Sequence, residues 1–407
     1  MKKVILGTTA LIAVSALTAG TASAAEKIKL NVTGYLQSSF VAVNFDNDAA
    51  DPLPTDIRSE GEIHFTGKTT LDNGLTFGVN VQLEARATAD QVDETFMYVE
   101  GAFGRVNFGN EDSAPYLMHY GSPSPVPAWG VNSPNANASG FKTSSTYTNV
   151  IGDADKITYF TPRMSGFQLG VSYTPDADEE TGTGASPYSV VKNDGAADEA
   201  YSIGANYTGK FGSVSVKGSL GYQTITRSGS ATTAAESTRV TTFAGGGTIT
   251  DTIVGGVITN TVSAGITTGA TTTVVDTVTK AATSTVRDDT DEYDVGLSVG
   301  VSGFTIGAAY KKTDSVSGVK NNDRKDWNLG VTYGQGPWKV GLQYAGIRND
   351  VANVTSDLSA YVLGGQYILG PGITAFGGVQ YWDADAALSG SNGNDATVFF
   401  LGTALSF

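Results

Sequence analysis

Ionisable side chains recur at every second residue in the first part of the chain, and this spacing bears on the chemistry they could do. In LTFGVNVQLEARA (75–87), the odd-numbered residues are apolar, and the even-numbered residues from Asn80 to Arg86 are polar. Alternate residues of a β-strand face the same side, so these groups would line one continuous polar surface. That surface carries both charges: Glu60, Glu62, Glu84 and Glu100 are its acids, and Arg58, Lys68, Arg86, Arg105 and Lys156 are its bases. Glu111 and Asp112 follow at the root of a long loop.

Catalysis has few candidate residues, because the chain holds only His64 and His119 and no cysteine. A serine or aspartate hydrolase would normally need a histidine base with an orienting partner. His64, with Glu62 nearby on the same parity, is the one candidate for that hypothesis. The simpler interpretation is a polar side chain in water, so we predict that the protein is not an enzyme.

Metal and cofactor sites are weakly indicated. The acidic clusters DADEE (176–180), DDTDE (288–292) and NEDS (110–113) offer oxygen ligands that could hold Ca²⁺ in the loops. No twelve-residue calcium-loop pattern is present, and solvated loop charge is the default interpretation of these clusters. The glycines of GAFGRVNFG lie in a hairpin and open no helix, so they do not predict a dinucleotide site. We therefore predict no cofactor.

The first residues read as an export signal. Lys2 and Lys3 precede an apolar run from Val4 to Leu17, and Ala22-Ser23-Ala24 follows as a small-residue cleavage site. A membrane-anchoring helix is a poorer interpretation, because the run is shorter than the ~20 residues that span a bilayer. The formal net charge of −15 argues against a nucleic-acid partner. We predict a signal peptide at 1–24 and a single domain at 25–407.

The rest of the chain alternates like the strands of a membrane β-barrel, with ~10-residue segments separated by turns. The predicted fold class is all-β, a sixteen-stranded antiparallel transmembrane barrel in the lipid bilayer. Its strands are predicted at 28–45, 56–71, 75–87, 92–101, 104–110, 154–163, 167–175, 199–208, 212–226, 291–301, 304–313, 325–334, 337–348, 357–369, 372–383 and 396–407.

Connections alternate between short glycine-containing turns and long polar loops, which places both termini on the short-turn side. Aromatic residues beside those turns predict a girdle at the lipid boundary: Phe103, Phe167, Phe211, Phe304, Trp338 and Phe407. The loop at 111–153 contains five prolines and would narrow the channel if it folds inward. The low-complexity stretch 227–290 predicts one long external loop or projecting hairpin. Two further membrane strands, eighteen in all, are the alternative.

Several stretches carry a family resemblance: GYLQSSF (34–40), FTGKTTLDNGLTFGVNVQLE (65–84), TFMYVEGAFGRVNFGNEDS (95–113), ITYFTPRMSGFQLGVSY (157–173) and GTALSF (402–407). Together they resemble the general trimeric porins of the Gram-negative outer membrane. The resemblance implies a homotrimer of water-filled channels, each narrowed by its third loop, through which small hydrophilic solutes and ions diffuse. It also implies that the barrel assembly machinery recognises the last strand, with Gly402, Leu405 and Phe407 as the signal.

The sequence departs from that family at several positions. Phe400 stands where a polar residue is usual, and Asp155 replaces an asparagine that opens the sixth strand. Glu62 and Asn110 lie where arginines are frequent. Because the usual basic wall is weakened, we predict a general diffusion porin that prefers cations. The alternatives are a substrate-specific channel, and a surface adhesin or structural barrel that acts through 227–290.

Overall fold

The computed structural model describes most of the chain after the predicted signal peptide. The described residues are 27–46, 53–85, 91–127, 129–133, 141–177, 194–233, 236–243, 248–254, 257–262, 271–280, 283–389 and 395–407. The predicted signal peptide and Arg86 lie outside them. Among the described residues, no helix has both the length and the apolar character needed to cross a bilayer.

Sixteen antiparallel strands form one closed barrel, as the alternation predicts. Nine precede the stretch 227–290 or run into it: β1 (Lys29–Phe45), β2 (Thr55–Thr70), β3 (Thr76–Glu84), β4 (Val92–Gly101), β5 (Gly104–Asn110), β6 (Asp155–Phe160), β7 (Phe167–Thr174), β8 (Asp194–Phe211) and β9 (Val214–Thr233). Seven follow: β15 (Thr290–Val301), β16 (Phe304–Asp314), β17 (Asn322–Gln335), β18 (Trp338–Val351), β19 (Val354–Gly370), β20 (Ile373–Ala384) and β21 (Asp395–Ser406). The fold prediction is therefore confirmed.

The last strand closes the barrel against the first. β21 pairs with β1 from Ser406 opposite Tyr35 to Ala396 opposite Phe45. Gly34 and Phe407 exchange both backbone hydrogen bonds, with N–O distances of 2.9 and 3.0 Å. The terminal residue thus completes the ladder, which leaves no open sheet edge in the membrane region.

The outer face carries two aromatic belts. Near the short turns, Phe167 packs on Tyr207 and Trp338 on Tyr367, with ring centroids 4.6 and 4.4 Å apart. Six residues further along β7, Tyr173 pairs with Tyr201 of β8 at 5.2 Å. Six strand residues span about 20 Å. Two belts at this spacing border the apolar band that faces the lipid chains.

The stretch 227–290 contains regular structure of its own. β9 continues to Thr233 and pairs there with β14 (Thr283–Val286). Between them, β10 (Glu236–Phe243), β11 (Thr248–Val254), β12 (Val257–Val262) and β13 (Thr271–Lys280) form a separate four-stranded sheet in the order β12-β11-β10-β13. None of these four described strands pairs with the barrel, so the eighteen-strand alternative is wrong.

Short helices complete the described structure: α1 (Ala114–Met118), a 3₁₀ helix (Val316–Gly318) and α2 (Ala386–Ser389). α1 lies in the connection between β5 and β6. That connection, residues 111–153, is called the inward loop below, because its described parts run inside the barrel.

Candidate functional site: the barrel lumen and the inward loop

The inward loop begins with α1, which packs on the inner face of β7, β8 and β9. Proline in its first turn suits a helix start, and Ala114, Pro115 and Met118 are buried. The backbone N–H of Ala114 donates to Ser172 Oγ at 2.8 Å. The side-chain amide of Asn206 donates to the carbonyl of Met118 at 3.1 Å. Both ends of α1 are therefore fixed to the wall.

Inward-facing glycines make room for this loop. A Cβ added to Gly170 would lie 2.7 Å from Met118 Sδ, and one at Gly204 would lie 2.8 Å from Pro115 Cα. Any larger residue would have to displace the loop. The same close approach recurs from β7 to β19, at Gly170, Gly204, Gly221, Gly296, Gly307, Gly330 and Gly364. The barrel thus carries a glycine groove, defined by these seven residues, along which the inward loop lies.

Polar side chains of the wall satisfy the backbone of the loop. Tyr120 N donates to Ser219 Oγ at 2.9 Å, Ser122 N to Asn328 Oδ1 at 3.2 Å, and Val131 N to Gln343 Oε1 at 3.2 Å. The Gln380 amide donates to the carbonyl of Trp129 at 2.9 Å. Because buried backbone groups are costly without partners, these bonds hold the loop in one position.

Buried charges fix the returning half of the loop. Glu292 accepts hydrogen bonds from the backbone N–H groups of Asn149 and Val150 at 3.0 and 3.1 Å, and pairs with Lys311 at 3.0 Å. The side chain of Glu292 is fully buried. Removing one member of such a pair typically costs about 3–5 kcal/mol, since the other charge is left buried.

A small apolar core lies inside the barrel where the loop crosses β20 and β21. Trp129 stacks on Phe400 with ring centroids 4.8 Å apart, and Phe141 lies 6.2 Å from Trp382. Phe400 is 4% exposed, whereas the next residue, Leu401, faces outward and is 70% exposed. The departure at Phe400 therefore has a structural reason: its ring packs on the loop rather than facing water.

The wall formed by β1–β5 lies across the lumen and carries acidic side chains. Tyr35 Oη donates to Glu62 Oε1 at 2.8 Å and also contacts Glu60 at 3.1 Å. Gln37 donates to Glu60, and His64 Nε2 lies 2.8 Å from Glu62 Oε2. Glu62 also lies beside Glu84 in the strand register, and carboxylate oxygens of Glu62, Glu84 and Asp93 lie within 4.8 Å of one another.

A second acidic group occupies the root of the inward loop. Carboxylate oxygens of Glu94, Asp112 and Asp153 also lie within 4.8 Å of one another. Burial, and then the like charges of Asp153 and Glu94, raise the pKa of Asp112 to about 8. These two groups, Glu62–Glu84–Asp93 and Glu94–Asp112–Asp153, are called the acidic clusters below. Three carboxylates at this spacing supply hard oxygen ligands of the kind that Ca²⁺ accepts.

The other predicted site residues are distributed more widely. Arg58 pairs with Asp56 at 3.3 Å. Glu100 lies opposite Arg105 at the short-turn end of β4 and β5, six residues from Glu94 and thus away from the acidic clusters. Glu111 is 5% exposed and accepts hydrogen bonds from Asn107 at 2.6 and 2.9 Å.

Lys156 is buried and does not line the pore, in contrast to its predicted place on the pore wall. It is 4% exposed, and its ammonium donates to the carbonyls of Glu111 and Gly152. Lys156 thus stabilises the root of the loop and presents no charged surface to the lumen. The parity of its strand places it inward as expected, but the loop covers it.

Sequence reasoning missed several residues at the site. Glu94 shares the inward parity of Phe96 and Glu100, so the alternation alone could have identified it. Glu292 and Asp326 also have inward parity, yet they bind the loop instead of lining open space. No local pattern distinguishes these two roles, because the difference depends on where the loop lies.

Cavities mark the passage that remains. One of about 570 Å³ is lined by Leu117 and Met118 of α1 and by residues of β4–β8, and one of about 550 Å³ lies against β1–β5. A third, of about 370 Å³, is bounded by Pro127 of the loop and by Tyr35 and Glu60 of the wall. The loop therefore leaves open space mainly along the β1–β5 side of the lumen.

Comparison with known proteins agrees with this architecture. The family model for Gram-negative porins matches residues 7–282 and 227–403. A comparison with curated proteins finds no match.

Three solved structures with the same fold illustrate how distant the similarity is. An anion-selective porin from Comamonas acidovorans is 17% identical, with a TM-score of 0.55, and the alignment covers 94% of this chain and 100% of that one. A loop L8 deletion mutant of OmpT, an outer membrane protein of Vibrio cholerae, is 15% identical, with a TM-score of 0.57 and the same coverage. OmpT in its trimer form is 13% identical, with a TM-score of 0.55 and again the same coverage. Identities this low indicate the fold alone. Because the family model extends over most of the sequence, the chain belongs to the family of Gram-negative porins.

Proposed function

We propose that this outer-membrane channel is a general diffusion porin that passes small hydrophilic solutes and ions without catalysis. The observation that carries the proposal is the inward loop, which crosses the barrel against seven strands with inward glycines and leaves a passage along β1–β5. A sixteen-strand barrel would otherwise enclose a channel too wide to select solutes by size. A loop fixed inside the barrel sets an upper limit on the size of the solutes that can pass.

We further propose that the passage prefers cations. The two acidic clusters flank the loop root, and Glu60 adds a carboxylate beside Glu62. Like charges crowded in a narrow pore attract counter-ions of opposite sign, as rings of acidic side chains do in other channels. Near the acidic clusters, Arg58 is paired and Lys156 is buried, whereas Lys68 lies six residues along β2 from Glu62 and Arg105 lies opposite Glu100, so the opposition of these bases at the loop root is small. The anion-selective porin of Comamonas acidovorans shares the fold at 17% identity, which does not transfer its selectivity.

A homotrimer fits the outer surface. The aromatic ring pairs of the lipid belts lie on β7–β9 and β15–β20, and the described part of β1–β5 contains none. Exposed Phe40, Ile57 and Met97 occupy that face instead. We propose that β1–β5 faces neighbouring subunits, because a subunit interface does not need an aromatic boundary with lipid.

The predicted targeting features complete the proposal. Cleavage after Ala24 would release the mature chain into the periplasm, where the short turns and both termini would lie. The barrel assembly machinery would recognise β21 through Gly402, Leu405 and Phe407; the side chains of Leu405 and Phe407 are exposed on the outer face. The strands within 227–290 would then stand on the external side.

The alternatives make different predictions. A substrate-specific channel would show saturable transport, and an adhesin acting through 227–290 would conduct little. A hydrolase would need His64 as the base for a nearby nucleophile; within the described chain, His64 Nε2 forms a hydrogen bond with Glu62. Loop-bound Ca²⁺ at an acidic cluster is compatible with the porin proposal but is not required by it.

Planar-bilayer recording tests the proposal. Purified protein in KCl should give stepwise conductance that increases linearly with dilute salt, and cross-linking in mild detergent should capture trimers. A barrel that inserts but does not conduct would refute the diffusion function. A monomer as the only cross-linked species would refute the homotrimer.

A further inference from the structure

The separate sheet of β10–β13 carries one row of polar residues across all four strands. Arg239 of β10 lies opposite Asp276 of β13 and Asp251 of β11, and Asp251 lies opposite Asn260 of β12. Residues directly opposite each other on paired strands share a face of the sheet. Asp276, Arg239, Asp251 and Asn260 therefore form one line, called the charged row.

Aliphatic residues lie two positions before and after the charged row on the three other strands, and thus on the same face. They are Ile249, Ile253, Ile258, Val262, Val274 and Val278. These six residues and the charged row are called the aliphatic face. Because isoleucine and valine leave water favourably, this face gains stability when it is covered.

The opposite face of the same sheet is rich in threonine. One of its rows crosses the four strands as Thr277, Thr238, Thr252 and Thr259, and it is called the threonine face. A hydroxyl group donates to water and accepts from it, so these residues need no protein partner. A sheet with one aliphatic and one hydroxylated face resembles one layer of a two-layer structure.

Within the part of the chain that the structure describes, nothing supplies the second layer. No other strand pairs with this sheet, and no helix or barrel strand makes more than marginal backbone contact with it. Lipid is also a poor candidate. Tyr222 of β9 belongs to an outward aromatic pair with Tyr293, and β9 continues for eleven residues to Thr233 before the sheet begins, about 36 Å along the strand.

The charged row is complementary to a second copy of itself. A two-fold axis that runs parallel to the strands, between β10 and β11, places Arg239 over Asp251 of the second copy and Asn260 over Asp276. Each acid then faces a donor, and Ile258 lies over Val278. Turning the copy end over end would instead place Arg239 over Arg239. Charge therefore favours one arrangement of two identical sheets.

We infer that the aliphatic face binds the same face of a second copy of this chain, carried by another channel. Two sheets pack about 10 Å apart with nearly aligned strands, a separation that side chains of both inner faces fill. The aliphatic residues supply the affinity, and the charged row sets the register. Because a homotrimer carries three such sheets, at least one must pair with a sheet of another trimer. This association goes beyond the proposed function, since diffusion does not require it.

The size of the face determines how the association should be sought. Four strands of about seven residues cover roughly 20 Å by 20 Å, so that two copies bury about 800 Å² in all, less than a stable complex usually buries. One pair of sheets is therefore weak. Association should increase with protein concentration and should be strengthened where trimers join through more than one sheet.

Sedimentation velocity of the detergent-solubilised full-length protein, from about 1 μM to about 100 μM, tests the inference. The wild type should form larger assemblies as concentration rises. Arg239→Asp and Asp251→Arg should each associate at least about tenfold more weakly, a loss of about 1.4 kcal/mol, because like charges then face each other. Glu236→Arg is the matched control, since strand alternation places Glu236 on the threonine face. This variant should associate like the wild type.

Mixing the two charge variants separates pairing from misfolding. An equimolar mixture of Arg239→Asp and Asp251→Arg should recover the larger assemblies, because the acid introduced at position 239 then faces the base introduced at position 251. The double variant Arg239→Asp/Asp251→Arg should also associate with itself. A wild type of one size at every concentration, a mixture that does not recover association, or an equal loss in Glu236→Arg overturns the inference.

Bilayer conductance in KCl keeps this result apart from the proposed function. All of these variants should conduct like the wild type, because the substitutions lie outside the barrel. A wild type that conducts but does not associate refutes only the pairing of the sheets. A wild type that associates but does not conduct refutes the diffusion function.

Discussion

The inward loop and the stretch 227–290 are both long insertions between neighbouring barrel strands, yet different parts of the molecule order them. The inward loop is held by wall side chains, by the glycine groove and by the Trp129–Phe400 stack. The stretch 227–290 is held by its own backbone ladders, from the β9–β14 pair to the sheet of β10–β13. Changes in an insertion that the barrel wall holds should alter the pore. Changes in an insertion that pairs only with itself should leave the passage unaltered.

The largest effect should come from removing the buried charge that holds the loop. In Glu292→Ala, Lys311 loses its ion-pair partner and the backbone N–H groups of Asn149 and Val150 lose their acceptor. We expect a destabilisation of about 3–5 kcal/mol, with faster amide exchange in the inward loop and increased current noise. Asp291→Asn is the control, because Asp291 accepts its hydrogen bond from Tyr222, a residue outside the loop. Equal exchange in both variants would contradict the account.

The glycine groove should be the next most sensitive feature. Gly204→Val places a side chain against Pro115, and such overpacking typically costs about 1–3 kcal/mol. Gly218→Val is the matched control, because the nearest atom to its added Cβ would lie at 3.7 Å, an ordinary contact. Single-channel conductance should change in Gly204→Val and stay near the wild-type value in Gly218→Val. Unchanged conductance in both would show that the groove does not fix the loop.

A smaller effect should appear with pH. Because burial and neighbouring acids raise the pKa of Asp112 to about 8, this carboxyl is largely protonated at pH 7 and ionises as pH rises. The K⁺/Cl⁻ permeability ratio should therefore increase between pH 7 and pH 9, and Asp112→Asn should lose this increase. The raised pKa also means that the stability contributed by this group is present at acid pH and is lost as pH rises through 8. A ratio that rises equally in wild type and Asp112→Asn would refute the role of Asp112.

The smallest effect should follow deletion of the self-paired insertion. Thr233 and Thr283 lie opposite each other at the end of the β9–β14 ladder, so an Asn-Gly turn can replace residues 234–282. The shortened chain should remain heat-modifiable, with conductance and selectivity close to those of the full-length protein. A large change in selectivity would contradict the contrast between the two insertions.

The barrel can be predicted from the sequence, but the position of the inward loop against the barrel wall cannot. Alternation identified sixteen strands because lipid and water impose opposite requirements on successive residues. The sequence shows glycines at inward-facing positions of the strands. It does not show that they make room for the inward loop, because that loop is distant from most of them in sequence. Phe400 was recognised as unusual, and its partner Trp129 could be found only from the fold. The inward parity of Lys156 predicts a place on the pore wall. Its burial depends on contacts with the loop root, which strand parity does not reveal.

The reversal potential in a tenfold KCl gradient tests the central claim most directly, namely that acids beside the inward loop set the selectivity. For the wild type, we predict the sign of K⁺ preference, and a smaller value as salt shortens the Debye length from about 10 Å at 0.1 M to about 3 Å at 1 M. Glu62→Arg should move the potential toward anions, since Glu62 belongs to an acidic cluster. A wild-type channel with the sign of Cl⁻ preference would contradict the account.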